Sequence, residues 1–152
     1  MYKTIVMGAF AALALCTPTI AAPSPTLSAI LLGGNEVGST GLANAGDTDG
    51  LGLIQVEIAP EKGELCYSLQ VDNLATPTIF HIHNAVAGVN GPIVIDLIPP
   101  TSADPGKIRK CVAVDPLLAE NILNRPLEFY VNFHTEEFTS GAVRGQLFYR
   151  RF

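Results

Sequence analysis

Residues 51–72 alternate with a period of two. In LGLIQVEIAPEKGELCYSLQVD, Ile54, Val56 and Ile58 are separated by Gln55 and Glu57. After Pro60-Glu61-Lys62-Gly63, the residues Leu65, Tyr67, Leu69 and Val71 alternate with Cys66, Ser68, Gln70 and Asp72. Successive side chains of a strand point to opposite faces, so this pattern puts every apolar residue on one side. On a helix the same residues would scatter around the axis. The turn chemistry between the arms makes the pair a hairpin, one face of which must cover a core.

The same signal recurs downstream. Ile79-Phe80-His81-Ile82-His83, Pro92 to Ile98, Lys107 to Val114, Leu127 to His134 and Val143 to Tyr149 all read as strands separated by Gly, Pro, Asn or Asp. Short strands at this spacing predict an all-β antiparallel sandwich or barrel. One helix interrupts, near 115–124. Asp115 suits its cap, Pro116 its first position, and Leu117, Leu118, Ile122 and Leu123 form a one-sided stripe; Pro126 blocks its continuation. The Gly-, Ser-, Thr- and Asn-rich stretch from Gly33 to Gly50 reads as a loop.

The first 22 residues read as a signal peptide. Lys3 supplies the positive start, Ile5 to Leu15 is apolar but too short to span a bilayer, and Thr19 and Ala21 suit a cut before Ala22. Residues 23–152 then form one domain, secreted or periplasmic. Cys16 is a poor lipidation site because bulky Leu15 precedes it. It leaves with the signal, so Cys66 and Cys111 remain as an even pair, and in an oxidising compartment the default is one disulfide. Strand parity sets both cysteines off the core face.

The whole chain has 9 Lys+Arg against 14 Asp+Glu, a net charge of -5. Losing Lys3 makes the mature part more acidic still, which argues against nucleic acid or an anionic membrane surface as partner. Nothing apolar after the signal is long enough for a membrane helix. The chain has no Gly-x-Ser-x-Gly elbow, activated cysteine or phosphate-cradling loop, so nucleophilic catalysis finds no support. Asp47/Asp49 and Glu136/Glu137 offer only one side of a calcium shell, and acids in such loops are ordinarily solvated.

The chain has 3 histidines. His81 and His83 are two apart on one strand and share a face; their backbones are ~6.5–7 Å apart. His134 has the parity of Tyr130 and Asn132, opposite Phe129, Val131 and Phe133. All three therefore stand off the hydrophobic parity. If their strands pair, three nitrogens meet, and Glu136 or Glu137 could add an oxygen. Such a set suits copper or zinc better than calcium or magnesium. Two other readings stand beside it. The imidazoles could be a hydrogen-bonded network on the outer sheet face. Alternatively, Arg144, on the same parity as Gln146, could join Asn132 and Glu136 in a polar cluster that favours an anion or a carboxylate.

In order along the chain, LLGGNEVGSTGLANAGDTDGLGLIQVE, LCYSLQVDNLATPTIFHIHNAVAGVNGPIVIDL and LEFYVNFHTEEFTSGAVRGQL resemble the CHRD domain, first described as repeats in chordin. The matching motifs are Gly34-Asn35-Glu36, then His81-Ile82-His83 with Gly88 and Asn90-Gly91-Pro92. Tyr130-Val131-Asn132-x-His134-Thr135 and Arg144-Gly145-Gln146-Leu147 follow. Two places depart from the family pattern: Gly38-Ser39-Thr40 stands where prolines are common, and Ala142-Val143 where an acid and an isoleucine are. The resemblance implies a β-sandwich of immunoglobulin-like or copper/zinc superoxide-dismutase-like Greek-key build. It implies a non-enzymatic binding or structural module with an extracellular or periplasmic ligand. The alternative is a copper- or zinc-binding, redox-capable protein using His81, His83 and His134. The dismutase's larger histidine set is not present.

Overall fold

The computed structural model describes residues 25–101 and 107–150. The expected signal peptide lies outside the described residues, as does the segment 102–106. Among the described residues, nine strands form one antiparallel sheet: β1 (Thr26–Leu32), β2 (Leu51–Ala59), β3 (Glu64–Asp72), β4 (Pro77–Asn84), β5 (Ile93–Asp96), β6 (Lys107–Ala113), β7 (Phe129–Thr135), β8 (Val143–Gln146) and β9 (Phe148–Tyr149). Their spatial order is β5-β4-β7-β8-β1-β2-β3-β6, with β9 also on β1. No helix among the described residues is long and apolar enough to cross a membrane.

The sheet curls until its two halves close on a shared core. Tyr67 of β3 and Phe80 of β4 lie far apart in strand order, yet their rings meet edge to face at 5.7 Å, and Phe80 meets Phe133 of β7 at 5.6 Å. The Tyr67 hydroxyl also donates to Ile98 O at 2.6 Å and accepts from Ile98 N at 2.9 Å, tying β3 to the segment after β5. This is the sandwich that the alternation predicts. Ile54, Val56, Ile58, Leu65, Tyr67 and Leu69 are all buried in it, on the parity read from the sequence.

The 51–72 hairpin forms in register from Leu51↔Asp72 to Ala59↔Glu64. Its turn is a 3-10 turn over Pro60–Lys62, closed by Gly63 at φ 61, a left-handed position. Cys66 and Cys111 are direct cross-strand partners on β3 and β6 and form a disulfide across a sequence separation of 45. Both are off the core parity, as expected. Helix α1 (Pro116–Asn124) is capped by the Asp115 carboxylate, which accepts from Leu117 N and Leu118 N. Its buried face is Ala119 and Ile122, and Leu117 is exposed rather than part of the stripe.

One expectation is corrected. The histidine parity of β4, β7 and β8 is not an outer sheet face open to solvent. Of the seven residues of β7, only His134 is not buried. The Gly33–Gly50 and Ala85–Pro92 loops fold over this side. Asn90 Nδ2 joins the two by donating to Val37 O at 3.0 Å and Gly38 O at 3.2 Å. The sheet therefore has an apolar core on one face and a small polar core on the other.

Candidate metal centre

The three histidines come together. β4 and β7 pair with His81 opposite Asn132 and His83 opposite Tyr130, so His134 stands diagonally from His81 on the same face. The His81 ring lies 5.6 Å from His83 and 5.7 Å from His134, edge to face in both cases. Each ring offers one nitrogen to a set whose members all lie within 4.8 Å of one another.

In each ring one nitrogen is tied down. His83 Nδ1 is 3.0 Å from Gly91 O, His134 Nδ1 is 3.0 Å from Thr139 O, and His81 Nε2 is 3.2 Å from Asp96 Oδ1. Carbonyl and carboxylate oxygens only accept, so each of these nitrogens carries the proton. The opposite nitrogens, His81 Nδ1, His83 Nε2 and His134 Nε2, are buried without a hydrogen-bond partner. Burial pushes His81 down from the ordinary histidine range, helped by His134 and opposed by Asp96. Burial also pushes His83 down, opposed by its bond to Gly91 and helped by His81, His134 and Arg144. Neutral rings with lone pairs turned inward can ligate a metal. Imidazole ligands ordinarily have their other N–H held by a carbonyl or carboxylate in this way.

Behind His83 is a layered stack. Tyr130 stacks on His83 at 4.6 Å and 7° between planes, and the Arg144 Cζ lies 3.4 Å from the Tyr130 ring centroid. β7 lies between β4 and β8, so imidazole and guanidinium take opposite faces of the tyrosine. Arg144 is 1% exposed. It donates to Asn90 Oδ1 at 3.1 Å, Val86 O at 3.2 Å and Val89 O at 2.7 Å, clamping the Ala85–Pro92 loop. Gln146 adds a bond of 2.6 Å to Ala85 O.

Asn132 and Arg144 belong to the predicted polar cluster and are there as register partners. Glu136 is not: it is exposed in the turn after β7. The carboxylate in the cluster is Glu36, 1% exposed, which the sequence placed in a motif but gave no role. Glu36 Oε1 accepts from Val37 N at 3.1 Å, and Oε2 accepts from Asn132 Nδ2. Burial raises the Glu36 pKa, opposed by the Val37 bond, the Arg144 charge and the Asn132 bond. Gly141, at φ 129, leaves room for it: a Cβ there would fall 2.3 Å from Glu36 Oε2. A glutamate in a Gly- and Asn-rich stretch reads as solvated, so only the loop's burial reveals it.

The other predicted acids do not converge on an ion. Asp47 Oδ1 accepts from Asp49 N and Gly50 N, closing a turn. Glu64 lies near Cys66 and Cys111, but their sulfurs are bonded to each other and offer no thiolate. A cleft of about 250 Å³ opens beside the histidines, lined among others by Glu36, His83, Asn132, His134 and Ser140.

Residues 27–147 match the family model of the CHRD domain. No curated protein and no solved structure matches the chain.

Proposed function

The chain belongs to the CHRD domain family, and we propose that this member is an exported module that holds one copper or zinc ion on His81, His83 and His134. The observation that carries this reading is the set of three inward imidazole nitrogens, each buried without a donor while its opposite nitrogen is fixed. An acceptor buried without a partner costs ~1–3 kcal/mol. A hydrogen-bonded network, the competing reading, would use these nitrogens; a cation would satisfy all three at once. Imidazole nitrogens favour copper and zinc, whereas calcium and magnesium take oxygen.

The fit requires a small contraction. Bonds of ~2.0–2.1 Å in a tetrahedron set ligand nitrogens ~3.4 Å apart. One nitrogen of each ring lies within 4.8 Å of the others, so binding would draw the rings inward by at most an ångström or so. The protein would supply three ligands, and a fourth, from outside the protein, would come from the cleft that His83 and His134 line. When bound, the ion supplies Lewis acidity, and as copper it can change oxidation state. Nothing in this reading requires turnover. Export is supported by the Cys66–Cys111 disulfide, which suits an oxidising compartment.

Calorimetric titration of metal-free protein with Zn(II) tests the proposal. The expected result is one ion per chain, with binding lost in His83→Ala and His134→Ala. Absence of binding with both Zn(II) and Cu(II), or binding that survives both substitutions, overturns it.

A further inference from the structure

Asn132 is 2% exposed and stands on the histidine face of β7, two residues from His134 and opposite His81. Its amide is used on one side only. Nδ2 donates to the buried Glu36 carboxylate, while Oδ1 is buried with no partner. Asn132, Glu36, His83 and His134 line one cleft. The carboxylate can only accept, so it holds the amide with its nitrogen toward Glu36 and its oxygen away. Glu36 is itself fixed by Val37 N at 3.1 Å and is overlain by Gly141, where any side chain would strike the carboxylate.

We propose that Asn132 Oδ1 is the second anchor for a small ligand at the ion's open position, and that this ligand is a hydrogen-bond donor: water, or a primary amine, in preference to a simple anion. The inference rests on the metal-binding reading above. A ligand atom that binds the ion with a lone pair and points an O–H or N–H at Oδ1 satisfies both at once. Azide or chloride offers no donor, and meets a carbonyl dipole backed by a carboxylate. The cleft, at about 250 Å³, admits a few water molecules or a ligand of that size. Glu36 thus acts as a positioning residue: by holding the Asn132 nitrogen it leaves the amide oxygen as the end offered to a ligand in the cleft.

The test is azide titration of the Cu(II)-loaded full chain, read from the azide-to-copper charge-transfer band, in wild type and in Glu36→Gln. Glutamine can offer a donor, so Asn132 is free to turn and present its nitrogen to the site. Azide is expected to bind about tenfold more tightly in Glu36→Gln, with copper stoichiometry unchanged, and Glu36→Gln is expected to add nothing on an Asn132→Ala background, where loss of the carboxylate charge alone would still tighten azide. Should that variant fail to fold, Asn132→Ala decides instead, with azide again expected to tighten as the acceptor is removed. Equal or weaker azide binding in the deciding variant overturns the inference while leaving the metal site standing. A wild-type chain that takes up no copper overturns the metal reading, and this inference with it.

Discussion

Replacing Arg144 by Met should cost about 4 kcal/mol of folding stability. The side chain is 1% exposed and makes three hydrogen bonds, to Asn90 Oδ1, Val86 O and Val89 O. Val86 and Val89 are exposed, so water can replace part of what their carbonyls lose. A further cost falls on Glu36, whose buried carboxylate loses the favourable charge of Arg144. Hydrogen bonds to a charged donor contribute ~1.5–3 kcal/mol each before water replaces part of them, and a desolvated cation–π contact contributes up to ~2 kcal/mol; these contributions overlap and do not add in full. Against a domain stability of ~5–15 kcal/mol this is a large fraction. With a urea slope of ~2 kcal/mol/M, the midpoint should fall by ~2 M. Adding Glu36→Gln removes the stranded charge, so the double variant should regain at least ~1 kcal/mol over Arg144→Met alone. A midpoint shift equivalent to less than ~1 kcal/mol, or strict additivity of the two substitutions, refutes a charge-coupled polar core.

Three further outcomes are expected. Reducing Cys66–Cys111 should lower stability by about 4 kcal/mol, the chain-entropy value for its 45-residue separation; equal midpoints with and without reductant would contradict this. Tyr67, buried and bonded to Ile98, has its pKa pushed up to about 12 from 10.0. The unfolded chain therefore loses that proton first, and stability present below pH 10 should fall by up to ~3 kcal/mol as pH rises to 12, an effect absent in Tyr67→Phe. His81 and His83 are lowered in the folded state, so the unfolded chain binds protons first as pH drops through 6.5. Metal-free protein should lose stability below that pH in thermal melts, and the loss should shrink in His83→Ala.

The apolar core was legible because alternation reports it directly: the strands of 51–72 and their buried parity follow from residue type alone. Strand β1 is not among the strands that the alternation predicts. Its buried residues Leu27, Ala29 and Leu31 include a small alanine, and the partly apolar run adjoins the signal-like segment. Yet β1 joins the two halves by pairing with β2, β8 and β9. The final strand, read as one piece, is two. Gln146 is the last residue of β8 and pairs with β7, and Phe148 pairs with Ser28 of β1. The histidine set was legible because two-residue spacing fixes a shared face, and pairing of β4 with β7 supplied the third ring. What alternation cannot report is a second covering layer. The burial of Arg144, Asn132 and Glu36 comes from loops whose path depends on long-range bonds such as Asn90 to Val37, and no local pattern encodes those.

The most direct measurement is the count of imidazole nitrogens on Cu(II) bound to the full chain, by pulsed electron paramagnetic resonance. Three histidine nitrogens are predicted, falling to two in His81→Ala. A single nitrogen, or a spectrum unchanged by that substitution, would contradict a shared three-histidine centre.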